Sequence, residues 1–518
     1  MIRINNVKIR DNLEEKEILN IALKRENIDI AEVEYYEIYK KSIDARKKDY
    51  IFYNYAINVC LKDKSKEKKY NIIENEVNNI KNNTNKNIGN VIIIGSGPAG
   101  LFSAITLIEN GVKPIIIERG SKVEDRVQDV NNFINNRELN EESNIQFGEG
   151  GAGTFSDGKL NTGGNNEYIR QVLKIFVRFG APKQIMYDAK PHIGTDILVD
   201  VVKNIRNYII EKGGIFLFNE KVIDFVIKNN KIDEIITSKG TGIKSKNVIL
   251  AIGNSARDTF KLLYDKQIEL KAKPFSVGVR IEHLQKDINF AQYGDKNKFT
   301  LPAAEYKLVK HLSNNRTCYS FCMCPGGIVV PATSKKNMLV VNGMSKFKRN
   351  EINSNSAIVV NVTPEDYDGS NPLNGIKFQE ELEKKAYILG GENYDAPVQR
   401  VEDFLNNKIT TKIGKVTPSY LPGVKLSNLN EILPKFISDS IKEALIEMNK
   451  TIKGFSDSDA ILTAIETRTS CPLQIIRDKT SLMSNIKGIY PCGEGAGYAG
   501  GIMTSAIDGI KCAIKILE

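Results

Sequence analysis

The sequence predicts an α/β protein in which a parallel-sheet domain is interrupted by a mostly antiparallel α+β domain and preceded by a small α+β domain. Two stretches of the chain alternate strand and helix patterns, one beginning at Val91 and one near Ala460. Between them, from about Lys271, strand patterns follow one another without intervening helices, which favours antiparallel pairing. The chain of 518 residues is also too long for one hydrophobic core.

The predicted boundaries follow these changes of pattern. They are 1–77 for the N-terminal domain, 78–90 for a polar and aperiodic linker, 91–270 for the first part of the parallel-sheet domain, 271–459 for the inserted domain and 460–518 for the second part. The inserted domain is expected to hold strands at Phe275–Glu282, Cys318–Met323, Ile328–Pro331 and Met338–Asn342 and helices at Lys377–Leu389 and Ile437–Met448.

The N-terminal domain has a βαββ order that predicts a ferredoxin-like arrangement. The expected elements are strand Ile2–Ile9, helix Glu14–Arg25, and strands Val33–Tyr39 and Tyr50–Leu61. The basic run Lys40–Lys48 is predicted to be a solvated loop. An alternative is a surface for nucleic acid or an acidic partner, which the net charge of +10, from 73 Lys and Arg against 63 Asp and Glu, permits.

Composition argues against several classes of protein. A hydrophobic fraction of 41% and a charged fraction of 26% are typical of a globular protein. No apolar run approaches the roughly 18 residues that span a bilayer, and Met1–Glu17 is too charged for a signal peptide. Seven scattered cysteines do not form a disulfide framework, and no cluster of ligands indicates a metal site. We therefore expect a cytoplasmic protein that has no contact with a membrane.

A dinucleotide-binding pattern of the Rossmann type lies at the start of the parallel-sheet region. The apolar strand Val91–Ile94 runs directly into Gly95-x-Gly97-x-x-Gly100 and then into an apolar helix. Gly95 allows a tight turn, Gly97 lets the backbone approach a pyrophosphate, and Gly100 permits close packing of helix on strand. The pyrophosphate would then lie on the free N–H groups at the helix N-terminus.

An acid follows the next strand at the place where a ribose is bound in such domains. Glu118 lies about 20 residues after Gly95, and a carboxylate there disfavours the 2′-phosphate of NADP. The segment Gly148–Gly153 also has the Gly-x-Gly-x-x-Gly spacing, but no strand precedes it and no helix follows directly. It therefore does not qualify as a second fingerprint.

The C-terminal region indicates FAD rather than NAD. A short strand, Ile489–Pro491, leads to Gly493-Glu494 and a glycine-rich turn, and a helix is predicted to begin near Ile502. The pattern is similar to that of glutathione-reductase-like flavoproteins, in which the acid binds the ribityl chain and the helix points its N-terminus at the flavin. The positive end of such a helix favours the negative charge of reduced flavin by about 0.3–2 kcal/mol.

Two weaker patterns agree with a flavin fold. Val222 follows a helix at the place where such domains use a strand backbone to bind adenine. The segment VILAIGNSAR, Val248–Arg257, contains an apolar strand ending in Ala-x-Gly, which would return the chain beneath the cofactor at Gly253.

The whole chain resembles a bacterial family of FAD-dependent dehydrogenases, or NAD(P)/FAD-dependent oxidoreductases, of largely unassigned substrate. The motifs that carry the resemblance are Ser42–Lys48 (SIDARKK), Phe147–Leu160 (FGEGGAGTFSDGKL), Pro191–Asp196 (PHIGTD), Ser320–Val330 (SFCMCPGGIVV), Val341–Ser345 (VNGMS) and Glu466–Ser470 (ETRTS). The resemblance implies that the loop Thr154–Leu160 lies along the flavin or its ribityl phosphate. It does not supply a substrate.

These patterns and the resemblance together predict one cofactor, FAD, and a set of residues that bind it. The predicted cofactor-binding residues are Gly95, Gly97, Pro98, Ala99, Gly100, Glu118, Arg119, Arg126, Thr154, Asp157, Lys159, Leu160, Val222, Gly253, Gly493, Glu494, Gly501 and Ile502. His192 is a candidate acid–base group beside the flavin, with a packing role as the alternative. Arg280 and Arg468 are candidates for binding a substrate carboxylate or phosphate, or for structural ion pairs.

The sequence does not predict a glutathione-reductase layout with its own NADPH domain. It has neither a second nucleotide fingerprint nor a Cys-x-x-Cys dithiol. Cys322 and Cys324, separated by one residue on a predicted strand, are interpreted as buried structural thiols. Electrons are therefore expected from NAD(P)H bound without a domain of its own, or from a protein donor.

The main hypothesis is an FAD-dependent oxidoreductase in which a small-molecule substrate binds between the flavin and the antiparallel domain, with hydride passing at flavin N5. One alternative is a flavin-dependent RNA-modifying enzyme, motivated by the net charge and the basic run of the N-terminal domain. Another is a binding or sensor protein in which FAD is structural.

Overall fold

The computed structural model describes residues 1–68, 88–164, 166–296 and 299–518, and it confirms the α/β class with a parallel sheet. The predicted linker residues 78–87, and residues 69–77 at the end of the predicted N-terminal domain, lie outside the described residues.

The N-terminal domain is a three-stranded antiparallel sheet with a helix packed on it. Its elements are β1 (Ile2–Ile9), α1 (Glu15–Arg25), β2 (Val33–Asp44), β3 (Phe52–Leu61) and α2 (Lys64–Glu67), with the strand order β1–β3–β2. Ile18 and Leu19 of α1 are buried with Ile4 and Ile57 of the sheet in one hydrophobic cluster. Alternating apolar residues on the strands thus bury one face against the helix.

The prediction of a solvated loop over Lys40–Lys48 is wrong for its first half. The strand β2 runs on through residues 40–44 because these residues pair with β3. The N–H of Lys41 also donates to the carbonyl of Tyr187 at 2.7 Å, and its carbonyl accepts from the N–H of Ala189 at 2.8 Å. These backbone bonds attach the N-terminal domain to the parallel-sheet domain.

The parallel-sheet domain is discontinuous in the sequence. Its parallel strands are β4 (Val91–Ile94), β5 (Ile115–Ile117), β6 (Ile215–Leu217), β10 (Asn247–Leu250) and β22 (Ile489–Pro491), in the order β22–β10–β4–β5–β6. An antiparallel sheet is formed by β7 (Val222–Lys228), β8 (Lys231–Thr237) and β9 (Gly242–Lys244). The helices are α3 (Pro98–Glu109), α4 (Val123–Asn136), α5 (Ile169–Arg178), α6 (Thr195–Glu211), α7 (Arg257–Asp265) and α12 (Ile502–Leu517).

The parallel pairing brings distant parts of the chain together. The strand β10 hydrogen-bonds to β4 on one side and to β22 on the other. Every residue of β4 is buried, as expected for a strand covered on both faces, and this explains its unbroken apolar sequence. The two glycine-rich turns that follow β4 and β22 therefore lie at the same edge of the sheet.

The inserted domain is built on a seven-stranded, mostly antiparallel sheet. Its strands are β12 (Phe275–Leu284), β13 (Val309–His311), β14 (Thr317–Cys324), β17 (Asn353–Val362), β18 (Ala396–Arg400), β19 (Val424–Leu426) and β20 (Ile461–Glu466), in the order β13–β14–β17–β12–β20–β18–β19. A separate pair is formed by β15 (Ile328–Pro331) and β16 (Val341–Met344). The helices are α8 (Gln285–Tyr293), α9 (Asn374–Gly390), α10 (Val401–Leu405) and α11 (Lys435–Asn449).

Most of the predicted elements of this domain are present, with shifted ends. The predicted strand Ile328–Pro331 is confirmed. The strand predicted over Met338–Asn342 begins only at Val341, because the N–H of Leu339 donates to the carbonyl of Glu383 rather than to a neighbouring strand.

The two passages between these domains run side by side. The strand β11 (Leu270–Ala272) leads into the inserted domain, β21 (Leu473–Ile475) leads out of it, and the two pair antiparallel. The prediction that the parallel-sheet domain resumes at residue 460 is therefore wrong, since β20 lies between β12 and β18 in the seven-stranded sheet. All residues of β20 are buried, and an apolar run of this length fits a parallel or a central antiparallel strand equally well.

A stability measurement can test the crossing of α3 and α12. A Cβ on Gly509 would lie 2.1 Å from the Ala99 carbonyl oxygen, so the variant Gly509→Ala must push the helices apart. We expect it to lower the free energy of unfolding by about 1–3 kcal/mol, the usual cost of overpacking, as measured by chemical denaturation. The control Gly164→Ala, whose Cβ would meet no described atom within 4 Å, should leave stability unchanged. Equal stability of the two variants would contradict the crossing.

Candidate functional site

A cavity of about 740 Å³ opens at the carboxyl edge of the parallel sheet. Ligands of open parallel sheets bind at this edge. Gly97 and Glu494, which lie 397 residues apart in the sequence, both line the cavity. Its walls also include Val222 of β7 and Cys322 of β14, so both the parallel-sheet domain and the inserted domain contribute to it.

Most of the predicted cofactor-binding residues face this cavity. Those that line it are Gly95, Gly97, Pro98, Ala99, Glu118, Arg119, Asp157, Lys159, Val222, Gly253, Glu494, Gly501 and Ile502. The predicted residues that are not among the described lining residues are Gly100, Arg126, Thr154, Leu160 and Gly493.

The turn into α3 is shaped for close approach of a ligand. Gly95 has a φ of +98°, and a Cβ there would lie 2.3 Å from the Ala251 carbonyl oxygen. Gly100 lies behind this turn. A Cβ on Gly100 would be 2.0 Å from the Gly95 carbonyl oxygen, so the residue permits the close packing of helix on strand that its spacing predicts. The helix begins at Pro98 with Gly97 as its N-cap. The first N–H groups of a helix lack intrahelical acceptors, so this wall of the cavity favours an anion.

Glu118 is a fixed carboxylate on the cavity wall. Its Oε2 accepts from the N–H and the hydroxyl of Ser96 at 2.9 and 2.7 Å. Its Oε1 accepts from the N–H groups of Gly120 and Gly148 at 3.0 and 3.1 Å. Four donors thus hold the negative charge in one place, which favours hydroxyl donors of a ligand and repels phosphate.

Arg119 lines the cavity as part of an ion-pair network. Its guanidinium contacts Glu142 at 2.7 Å and Asp258 at 2.9 Å. It also lies 4.0 Å from the centre of the Phe147 ring, which lines the cavity as well. Two carboxylates balance the charge of Arg119, so this part of the wall is suited to stacking rather than to binding phosphate.

Arg126 does not reach the cavity, and the prediction that it contacts the cofactor is wrong. Its buried guanidinium donates to the carbonyl oxygens of Asn144, Ile145, Gly148, Glu149 and Gly151 at 2.6 to 3.3 Å. Burial lowers the pKa of Arg126 to about 10, which leaves it charged at neutral pH. Because Gly148 and Gly151 line the cavity, Arg126 shapes the wall from behind.

The segment Gly148–Gly153, which failed the fingerprint test, nevertheless forms part of the wall. The element before it is helix α4 rather than a strand, so it is not a second nucleotide fold. Gly151, Ala152 and Gly153 line the cavity, and a Cβ on Gly151 would lie 3.0 Å from the Cα of Gly97. The absence of a flanking strand and helix shows that this segment is not a second strand–turn–helix unit. Such a segment can still form a loop that lines the same cavity.

Asp157 and Lys159 connect the cavity wall to the inserted domain. Asp157 Oδ1 accepts from Nε of Arg349 at 3.0 Å, and Lys159 Nζ donates to the Met323 carbonyl oxygen of β14. Both residues line the cavity. The loop that the family resemblance placed beside the flavin thus lies at the junction of the two domains.

Three other predicted residues are internal, which corrects their assignment as direct cofactor contacts. The carbonyl of Thr154 accepts from the Thr195 hydroxyl at 2.8 Å, and Leu160 is buried in the main hydrophobic core. The N–H of Gly493 donates to Asp508 at 2.8 Å.

Glu494 brings a titratable acid to the cavity. Nδ2 of Asn254 donates to its Oε1 at 2.7 Å. Burial raises the pKa of Glu494 to about 7, although the charge of Lys273 opposes this shift. Gly501 is the N-cap of α12, and a Cβ there would meet no described atom within 4 Å. A second helix N-terminus therefore faces the cavity close to an acid that exchanges its proton near neutral pH.

Of the three catalytic candidates, Arg468 lines the cavity. It forms an ion pair with the buried Glu383 at 3.0 Å and donates to the hydroxyls of Ser255 and Ser334 at 3.0 and 2.6 Å. The side chain is held in one position, and Glu383 compensates its charge. It can therefore orient a ligand but has limited capacity to neutralise one.

His192 and Arg280 are not among the described residues that line the cavity, which favours the alternatives of a packing role for His192 and a structural ion pair for Arg280. Nε2 of His192 lies 3.0 Å from the Phe347 carbonyl oxygen and its ring stacks on Phe347. Burial and the nearby charge of Arg349 lower the pKa of His192, which favours a neutral packing residue. Arg280 is fully buried and contacts Glu466 at 2.8 Å, so it is a structural ion pair.

The wall also holds residues of the inserted domain that sequence reasoning missed. They are Glu305, Tyr306, Lys307, Ser320, Phe321, Met323 and Asn342, together with Cys322. Cys322 corrects the interpretation of a buried structural thiol, because it is only half-buried and lines the cavity. Its segment was visible as a family motif, but strand alternation cannot reveal the left-handed backbone at Cys322, whose φ is +44°.

Comparison with protein families gives three matches along the chain. Residues 1–60 match a domain of unknown function, residues 89–272 match pyridine nucleotide-disulphide oxidoreductase, and residues 274–469 match "FAD-dependent protein, C-terminal domain-like". An uncharacterized protein of Clostridium beijerinckii is 45% identical over 100% of this chain and 98% of its own length. A D-amino acid dehydrogenase of Helicobacter pylori is 44% identical over 54 residues, which are 10% of this chain and 13% of that protein.

Solved structures align with low scores. Glycine oxidase from Bacillus cereus aligns with a TM-score of 0.31 and 13% identity, covering 82% of this chain and 94% of that chain. L-proline dehydrogenase from P. horikoshii aligns with a TM-score of 0.33 and 13% identity, covering 82% and 92%. Nothing about activity is inferred from likenesses at these scores. Within the described residues, the helices lack the combination of length and apolar character that crossing a membrane requires.

The raised pKa of Glu494 predicts a pH dependence of stability. A carboxyl whose pKa is higher in the folded chain than in the unfolded chain favours folding when protonated, and this contribution is lost as pH rises through about 7. In the ligand-free protein we expect Glu494→Gln to gain about 2 kcal/mol of stability relative to wild type between pH 5 and pH 8. Denaturation at each pH measures this difference. The control Glu138→Gln, at an exposed glutamate, should show none, and a flat difference for Glu494→Gln would contradict the assignment.

Proposed function

The chain belongs to one family with the Clostridium beijerinckii relative, and its two matched flavoprotein domains make it an FAD-dependent oxidoreductase. On this premise we propose that it transfers hydride between FAD and a small-molecule substrate held in the 740 Å³ cavity. The observation that carries the proposal is that Gly97, Glu494 and Cys322 line one cavity. Two glycine-rich turns of the parallel-sheet domain thereby face a wall of the inserted domain.

The residues of the first turn fit the dinucleotide half of FAD. The N-terminus of α3, with Gly97 at its cap, would hold the pyrophosphate, because its N–H groups and dipole favour an anion. Glu118 would accept from the ribose hydroxyls, and the backbone at Val222 would contact the adenine. The neutral, aromatic wall formed by Arg119 and Phe147 is suited to covering the adenosine.

The residues of the second turn fit the flavin half. Glu494 would bind the ribityl hydroxyls, and Gly501 with Ile502 would place the α12 N-terminus against the pyrimidine edge. When bound, FAD supplies a hydride acceptor and donor at its N5 atom. Lys159 and Asp157, at the junction with the inserted domain, would close the site against water and fix the ring position.

The substrate would bind between the flavin and the wall formed by Glu305–Lys307 and Ser320–Met323. Arg468 would orient it through the guanidinium that Glu383 holds in place. The sequence has one nucleotide fingerprint with its strand and helix, so the second redox partner is proposed to be NAD(P)H without a domain of its own, or an electron-donor protein. A cytoplasmic location is part of this proposal, supported by seven cysteines that are all free thiols.

A glycine substitution tests the cofactor site without disturbing the fold. The nearest described atom to a Cβ on Gly97 is the Cα of Gly151 at 3.7 Å, and Gly97 does not have a positive φ. The variant Gly97→Val should therefore fold but intrude on the pyrophosphate. We expect the purified wild type to carry FAD and the variant to lose more than about tenfold in FAD affinity, an effect of about 1.4 kcal/mol.

Flavin absorbance measures FAD binding and circular dichroism measures folding, so together they distinguish loss of the cofactor site from loss of the fold. Gly164→Val, at a residue that is not among the described lining residues and whose Cβ would meet no described atom within 4 Å, should retain the cofactor. A wild-type protein that neither contains nor binds FAD, or a folded Gly97→Val that binds it normally, would overturn the proposed site.

The electron donor can be identified on the same preparation. Anaerobic addition of NADH or NADPH to the holoenzyme will bleach the flavin absorbance if a nicotinamide reaches the cavity. Reduction by dithionite but by neither nicotinamide will assign the role to a protein donor. A flavin that no reductant or substrate reduces would contradict an oxidoreductase.

A further inference from the structure

Two cysteines lie at an irregular point of strand β14. The pairing of β14 with β17 shifts register between Phe321 and Cys324, so the strand carries a bulge there. Cys322, within the bulge, has a φ of +44°. Only a small fraction of residues other than glycine adopt such a backbone, and in functional sites it serves to direct a side chain.

The bulge places the two thiols next to each other. The Cys324 thiol donates to the Cys322 carbonyl oxygen at 3.4 Å, and the interaction of the two thiols lowers the pKa of Cys322 and raises that of Cys324. Residues two apart in a chain are close enough for a disulfide when the backbone between them is not fully extended. The two thiols are therefore neighbours at a point where the strand is already irregular.

The two cysteines differ in their access to the cavity. Cys322 is half-buried and lines the cavity, whereas Cys324 is fully buried behind it. Cys322 is also close enough to Glu494 for its charge to act on that carboxyl. Cys322 therefore borders the space that the flavin half of FAD would occupy, and the buried Cys324 can act as its partner.

Positive groups surround the pair. Nη2 of Arg280 donates to the Cys322 carbonyl at 2.8 Å and lies 3.8 Å from the Cys324 sulfur, and Lys159 lies on the cavity side. The hydrogen bond from Cys324 and the charges of Arg280 and Lys159 lower the pKa of Cys322 to about 7, while its thiolate neighbour and burial raise the pKa of Cys324. Burial raises the pKa of Cys318 and Cys471 instead, and a hydrogen bond with Cys512 together with burial raises the pKa of Cys492. Cys322 thus has the environment of a nucleophilic thiolate.

We propose that Cys322 and Cys324 form a redox-active dithiol–disulfide pair that exchanges two electrons with FAD in the cavity. This inference rests on the proposed cofactor site. In the oxidative direction a bond forms between the two sulfurs as the Cys322 thiolate and the Cys324 thiol give up two electrons and the Cys324 proton. These reduce FAD to its anionic reduced form, so that charge and atoms balance. The reverse reaction opens the disulfide.

An anaerobic reductive titration of the holoenzyme tests the pair. Starting from air-oxidised protein, wild type should take up two more electrons per chain from dithionite than Cys322→Ser or Cys324→Ser, with flavin absorbance as the readout. Cys60→Ser, in the N-terminal domain and outside the cavity lining, should match wild type. Flavin content and circular dichroism verify that each variant is folded, and Cys324→Ala provides a second substitution at the buried position.

Alkylation followed by mass spectrometry gives an independent readout. Cys322 and Cys324 should be protected in the oxidised holoenzyme and alkylated after reduction. The variant Cys324→Ser should show a long-wavelength charge-transfer band of the Cys322 thiolate with oxidised flavin, growing as pH rises through about 7. Equal electron uptake by wild type and folded Cys322→Ser, with both thiols reactive in the oxidised protein, would overturn this inference alone. Wild type that binds no FAD would instead overturn the proposed cofactor site.

Discussion

The close contact between helices α3 and α12 is the constraint on which the cavity depends. Gly509 brings the α12 backbone against Ala99, and the Ser103 hydroxyl donates to the Gly509 carbonyl at 3.0 Å. Gly493 has a φ of +77°, and a Cβ on this residue would lie 2.8 Å from the Cβ of Ala99. Because each helix starts at a glycine-rich turn, this contact sets two helix N-termini at one cavity. Two parts of the chain that are far apart in sequence become one binding surface only through this packing.

The walls behind the cavity are held by buried charges as well as by apolar packing. Glu383 of the inserted domain binds Arg257 at 2.6 Å and Arg468 at 3.0 Å. Burial opposes the charge of this carboxyl, but the two arginines lower the pKa of Glu383 to about 2. Loss of one partner from such a buried pair usually costs about 3–5 kcal/mol, because the other charge is left uncompensated. Arg126 has a similar role toward backbone carbonyls, so a charged residue beside a glycine-rich loop here organises the loop rather than the ligand.

The fold class and the two glycine-rich turns that line the cavity could be predicted, because these turns have strands and helices in fixed order around them. The local sequence predicts that a residue lines the cavity where a glycine motif is flanked by the expected strand and helix, as at Gly97 and Glu494. It was not enough for Arg126 or Leu160, whose residue types fit a ligand contact and an internal contact equally well. The strand Ile461–Glu466 was assigned to the wrong domain because burial on both faces removes the alternation that distinguishes sheet types. The position of Cys322 depends on a bulge and on a positive φ, which no pattern of residue types encodes.

The antiparallel ribbon of β11 and β21 has a consequence for how this architecture can vary. The chain leaves the parallel-sheet domain at Leu270–Ala272 and returns at Leu473–Ile475, and the two segments are hydrogen-bonded to each other. The two ends of the inserted domain therefore lie side by side. For the parallel-sheet domain, the whole inserted domain is equivalent to one long loop that leaves and returns at the same place. The entropic cost of closing a loop grows only slowly with its length, so a long insertion at this place destabilises the parallel-sheet domain little more than a short one. Such a junction lets the inserted domain be exchanged or remodelled while the parallel-sheet domain keeps its own stability.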